Sequence, residues 1–408
     1  MQPRLSAVWL ILIALAGAFA LLYLWFTLFP GRVDSRALQY FSAGQINQGR
    51  QYNRVLQITF IFSFILQSSF LLWLVFSGRA AALSGWTQGV TGGNYWGSLL
   101  LFFLIIWLAL RLLNLPFSLY SSYFWQHRWG FSTQVLGSWW LDYFKVAGLE
   151  LFLTTAGVLL LFWVMGRWPA AWWLAGASFI SLWLVIQTFL WPVVISPLFN
   201  RFTPASDPAV VAMVYRLSEK ARLPVDQVLV MDASRRTTRA NAYFAGLGRT
   251  KRIVLYDTLL ANYPLDEVEA VVAHEMAHWS QGHILRGLVL GTLGSFALWG
   301  LLFIVARASL PLSLRYPPET WAMALLFFLL VSFTASPLGS YFSRQMEGEA
   351  DRVSVTLTGD APAAVRLQVK LAGKNLSDVS PAAFIRWFGY SHPPAPDRIE
   401  NILQAASR

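Results

Sequence analysis

Seven apolar runs constrain this chain more than any other feature. They lie at about residues 7–29, 56–77, 95–119, 147–166, 169–196, 287–309 and 320–342, each near or above the roughly 20 residues a helix needs to cross hydrocarbon. Lipid offers no water to a backbone N–H or C=O, so a run of this kind must satisfy its own hydrogen bonds, as a helix does. The expected architecture is therefore an all-α membrane bundle of seven transmembrane helices. Composition agrees: 56% of the 408 residues are hydrophobic and only 12% are charged, roughly half the charged share of a soluble globular protein. The first run has a short basic start and the small residues "AGAFA", as a cleaved secretion signal would. It continues to Phe29, longer than such a signal needs, and is read as a span.

A net charge of +11 raises nucleic acid as a partner, but no nucleic-acid-binding motif accompanies it. The arginines stand beside the spans, where they set topology and meet anionic lipid headgroups. Arg4, Arg79, Arg167, Arg307 and Arg315 fall on one side. Arg32, Arg36, Arg50, Arg54, Arg128, Lys145, Arg201, Arg286, Arg344 and Arg352 fall on the other. That excess places the N-terminus outside and the C-terminus in the cytoplasm of an inner (cytoplasmic) membrane, multi-pass. Cysteine is absent, which excludes disulfides, thiolate metal sites and cysteine nucleophiles.

Between the spans the chain divides into 1–196 (spans one to five with their loops), 197–286 (polar), 287–342 (spans six and seven) and 343–408 (polar). Only two spans separate the polar pieces, so they are expected to build one small cytoplasmic α+β domain. "DPAVVAMVYRLSEKARL" has helical periodicity, "QVLVMDA" and "KRIVLYDTLL" read as strands, and "NAYFAGLG" between them ends in turn glycines. "YPLDEVEAVVAHEMAHWSQGHI" reads as one helix, opened by Pro264, Asp266, Glu267 and Glu269 and striped by Val268, Val271, Val272 and Met276.

That helix holds three of the five histidines: His274, His278 and His283. Residues four apart share a helical face, so His274 and His278 can place two imidazoles on one metal ion, with Glu275 flanking it as a proton carrier. This is the H-E-x-x-H logic of zinc peptidases, in which zinc acidifies water and polarises the scissile carbonyl while the glutamate moves the proton. A third protein ligand is needed. "SRQMEGEADR", at 343–352, offers Glu347, which shares a face with Asp351 one turn on, whereas Glu349 falls on another face. Glu347 is the expected ligand, and Asp351 is suited to take the N–H of a ligand histidine. The cofactor expected is one Zn2+ per chain. His283, five residues beyond His278, would lie on a different face of a continuous helix. His127 reads as an interfacial residue among aromatics, and Glu150 needs water or a partner at the start of its span.

Several separated pieces closely resemble the type I CAAX prenyl endopeptidase family of integral-membrane zinc metalloproteases: "LPFSLYSSYFWQHRWGFSTQ", "LDYFK", "SPLFNRFTP", "RANAYFAGLGRTKRIVLYDTLL", "VVAHEMAHWSQGHI", "SRQMEGEADR" and "SHPPAPDRI". The resemblance covers the chain from about 115 onward and implies a bundle around a large intramembrane chamber. It implies His274, His278 and Glu347 as metal ligands, and Glu275 and Asp351 as catalytic residues. Asn241, Ala242, Tyr243 and Phe244 are implied as an edge to which substrate adds as a strand. His392 and Arg398 are implied near substrate, His392 as a candidate donor to the oxyanion. The implied partners are a peptide or protein substrate, including prenylated ones, and membrane lipids. A broad-specificity quality-control protease remains open on the same residues. A transporter or channel is disfavoured by an odd span number without inverted repeats. A protease with its H-E-x-x-H inside a span is disfavoured by the polarity of "HEMAHWSQGHILR".

Overall fold

The computed structural model describes residues 5–245, 251–309 and 316–407. In chain order it contains α1 (Ala7–Leu28), α2 (Ala43–Phe76), α3 (Arg79–Val90), α4 (Tyr95–Leu119), α5 (Trp125–Arg128), α6 (Leu136–Arg167), α7 (Trp172–Leu190), β1 (Phe202–Pro204), α8 (Pro208–Ala221), β2 (Gln227–Met231), β3 (Ala242–Ala245), β4 (Arg252–Tyr256), α9 (Asp257–Asn262), α10 (Leu265–Ser280), α11 (His283–Ser309), α12 (Thr320–Thr358), α13 (Ala361–Lys374), α14 (Ala383–Gly389) and α15 (Ala395–Ala406). Helices α1, α2, α4, α6, α7, α11 and α12 supply seven candidate membrane spans among the described residues.

The helices outrun the apolar runs that announce them. α2 begins at Ala43 because Ser42 and Gln45 form a reciprocal capping box: the Ser42 hydroxyl accepts from the Gln45 amide, and the Gln45 side chain accepts from the Ser42 amide. α12 is one rod of 39 residues, stopped at Gly359, whose φ of 71° turns the chain out of the helix. The boundary expected between residues 342 and 343 therefore falls inside a continuous helix. The single helix expected through residue 286 is in fact broken: α10 stops at Ser280, Gly282 takes φ 67°, and α11 starts at His283. "DTLL", read as the end of a strand, begins α9, while Tyr256 before it closes β4. Part of "NAYFAGLG", read as the link between two strands, is itself β3, and its turn glycines Gly246 and Gly248 lie outside the described residues, as do Arg4 and Arg315 of the charge count.

Two cores organise the molecule. Within the bundle, Trp9, Phe102, Trp172 and Phe327 are buried together, and the Trp9 indole donates to Ser309 at 3.0 Å. Glu150 pairs across helices with Arg111 and accepts from the Trp107 indole at 3.2 Å. His127 lies against Tyr123, with ring centroids 4.1 Å apart. Outside the bundle, Val214, Leu217, Ile253, Leu255, Val272, Met276, Leu367 and Ile402 share a second core, so both polar stretches contribute to one unit. Its sheet has the order β1-β2-β4-β3, with β2 and β4 parallel and the outer strands antiparallel. The tail is tied back to the last span: Ser336 and Ser340 donate to the Phe388 carbonyl, and Arg344 donates to the carbonyls of Arg386 and Tyr390. This brings the segment after Tyr390 over the middle of α12.

Candidate metal centre

Helix α10 starts after Pro264, with Asp266 and Glu267 in the first turn, where carboxylates meet the positive end of the helix dipole. Val268, Val272 and Met276 bury one face against the sheet. The opposite face presents His274 and His278 to α12. His274 Nε2 lies 3.2 Å from Glu347 Oε2, His278 Nε2 lies 3.4 Å from Glu347 Oε1, and the two Nε2 atoms are 3.2 Å apart. One ligand atom from each of these residues falls within 4.8 Å of the others. Glu347 Oε2 is buried with no hydrogen-bond donor, a costly state for a carboxylate oxygen unless a cation answers it. Two imidazole nitrogens and one carboxylate oxygen fit a tetrahedral divalent ion that keeps a fourth position open. Glu349, two residues away, points elsewhere, pairing with His283 and Arg286.

Each histidine is held from behind. His274 Nδ1 is 3.1 Å from Asp351 Oδ1, and Arg398 grips the same carboxylate through Nε at 2.9 Å and Nη2 at 2.6 Å. The guanidinium of Arg398 is thus paired with Asp351, and the pair stands behind His274. His278 Nδ1 is 2.9 Å from His283 Nδ1, and His283 Nε2 is 3.1 Å from Glu349 Oε2. The expectation that His283 lies on another face fails because Gly282 interrupts the helix and turns His283 back over His278. Gly282, three residues after Trp279, is the signal of this in the sequence.

Burial disfavours a charged His274 ring, but Asp351 and Glu347 outweigh it and hold its pKa at about 9. Glu275 is pushed above the usual carboxylate range by burial, against the pull of His274 and His278. Among the described residues it has no hydrogen-bond or ion-pair partner, so its carboxylate is uncommitted. His392 Nε2 stands 3.2 Å from Glu347 Oε1, and its side chain is 61% exposed, so the ring borders the ligand cluster from the open side. β3 is an edge strand, and Asn241 just before it accepts from the Tyr256 amide at 3.0 Å. Phe244 joins this edge to the cluster, its ring 5.6 Å from that of Trp279, the neighbour of His278. The Lys251 ammonium lies 4.9 Å over the same indole; neither Trp279 nor Lys251 was signalled by any pattern in the sequence.

Two family models match successive parts of the chain: "CAAX prenyl protease N-terminal, five membrane helices" over residues 29–201, and "Peptidase family M48" over residues 204–406. An uncharacterized metalloprotease of Bacillus subtilis, YhfN, is 27% identical over 89% of this chain and 86% of its own length. CAAX prenyl protease 1 homolog of Oryza sativa is 31% identical over 73% of this chain and 71% of its own. The crystal structure of S. mikatae Ste24p superposes with a TM-score of 0.84 at 24% identity, covering 96% of this chain and 98% of that one, which establishes the fold.

Proposed function

This chain belongs to the CAAX prenyl protease family of M48 membrane metalloproteases, and from that premise we propose that it is a zinc endopeptidase working at the cytoplasmic face of the inner membrane. The observation that carries the reading is the convergence of His274 and His278, on the helix just ahead of span six, with Glu347, on the helix that continues out of span seven. These three residues would hold a zinc ion, which when bound would supply Lewis-acid chemistry to a water and to the scissile carbonyl.

The chain's own residues carry the remaining steps. Glu275, uncommitted and with a raised pKa, takes a proton from the attacking water and delivers it to the leaving amine. His392 donates a hydrogen bond to the developing oxyanion from the open side of the cluster. Asp351, clamped by Arg398, fixes the tautomer of His274 so that Nε2 faces the metal. The free edge of β3, with Asn241 to Phe244, takes the substrate as an added strand, so backbone bonds set its register and Phe244 with Trp279 shapes a neighbouring pocket.

The substrates proposed are peptides and proteins admitted between the spans, with prenylated C-termini preferred, in line with the rice relative's being a CAAX prenyl protease 1 homolog. Purified protein and matched peptides with and without a farnesyl group test this. Faster cleavage of the farnesylated peptide is expected. Equal cleavage would favour a broad-specificity quality-control protease, and no cleavage of either by zinc-loaded protein would reject the activity.

A further inference from the structure

Two carboxylates on α12 end hydrogen-bond chains that reach the two histidines of the cluster. Asp351 does so directly. The other chain is longer, running from His278 Nδ1 to His283 Nδ1 at 2.9 Å, from His283 Nε2 to Glu349 Oε2 at 3.1 Å, and from Glu349 to Arg286 Nη1 at 2.7 Å. We propose that His283 and Glu349 are positioning residues for the metal ligand His278, forming a relay that fixes its tautomer and ring orientation. The inference rests on the metal reading above.

The direction of the relay follows from proton counting. A histidine that offers Nε2 to a cation carries its proton on Nδ1, so His278 must donate from Nδ1. His283 Nδ1 must then accept, and a neutral ring accepting at Nδ1 carries its proton on Nε2. That N–H points at Glu349, an acceptor only. Every link therefore has one donor and one acceptor. Without Glu349, His283 is free to place its proton on Nδ1 instead, where it would confront the His278 proton at 2.9 Å. Glu349 removes that ambiguity, and Arg286 holds Glu349 in place. Burial makes the geometry rigid: the His283 side chain is only 3% exposed, while Glu349, at 30%, sits at the outer end.

Backbone geometry supplies the contact. Five residues along an unbroken helix would rotate position 283 by roughly 140° from His278. Gly282, at φ 67°, breaks the helix and returns the chain over the site.

The test is zinc affinity by chelator competition on purified full-length protein, together with the visible absorption of its cobalt-loaded form. His283→Leu keeps the bulk and removes both hydrogen bonds. It should raise the zinc Kd by about 10–100-fold and alter the cobalt spectrum. His283→Asn places an acceptor oxygen near the Nδ1 position and should recover most of the affinity. From the far end, Glu349→Leu should weaken zinc binding by about tenfold, and Glu349→Gln, still an acceptor, should restore it; this pair reads the relay even if His283→Leu does not fold. His278→Ala is the control. Wild-type affinity in His283→Leu or in Glu349→Leu, with affinity lost in His278→Ala, overturns the relay and leaves the metal site standing. Unchanged affinity in His278→Ala overturns both.

Discussion

Removal of Asp351 separates two roles that its geometry combines. The carboxylate is 2% exposed and the Arg398 side chain 14%, with two charge-assisted hydrogen bonds at 2.6 and 2.9 Å. Asp351→Ala leaves a buried guanidinium without its partner, which costs about 3–5 kcal/mol. It also leaves His274 Nδ1 without its acceptor, which weakens metal binding by roughly 10–100-fold. The double variant Asp351→Ala/Arg398→Met removes the stranded charge while keeping apolar bulk. Thermal unfolding of the metal-free protein in detergent should show a marked loss in the single variant and recovery of at least half of it in the double. Zinc affinity should stay low in both. If affinity returns with stability, Asp351 serves only as a counter-ion to Arg398. A single variant as stable as wild type would show that the pair is not the buried one described.

Glu275→Ala should retain one zinc per chain by metal analysis while losing proteolysis; full peptidase activity would sink the proton-carrier role. His392→Ala should keep zinc and fold but lower kcat by about a hundredfold, with a smaller change in KM, and wild-type kcat would reject the donor role. The His274 pKa is raised from 6.5 to about 9, so its contribution to the metal-free fold is full below about 6.5 and fades as pH rises through about 9. Zinc must displace that proton, so calorimetry at pH 7–8 in buffers of different ionisation enthalpy should show about one proton released, and none released would contradict it. A reporter fused after Arg408 should read cytoplasmic and one near Gly92 external; the reverse would invert substrate access.

Much of this was legible in the sequence because lipid and metal both impose strict patterns. Span positions follow from apolar length, and the spacing of His274 with His278 and of Glu347 with Asp351 follows from the helical turn. What escaped depends on breaks and on long-range docking. α3 is of mixed polarity, with buried Ser84 and Thr87, and shows no apolar run. The extension of α2 ahead of its apolar run hangs on one capping box, and α12 runs unbroken to Gly359 in spite of Pro337 inside it. The contact of His283 with His278 hangs on a single left-handed glycine. α14 gives no hint from its seven residues that Phe388 packs between Tyr23 and Phe333 of the bundle and so carries the following segment to Glu347.

Because His278 precedes span six and Glu347 follows span seven on one uninterrupted rod, no contiguous stretch outside the bilayer holds the whole ligand set. A nascent chain therefore has no complete metal site until that last hairpin has been threaded through the membrane and α12 has met α10. The hydrolytic centre is armed by insertion itself.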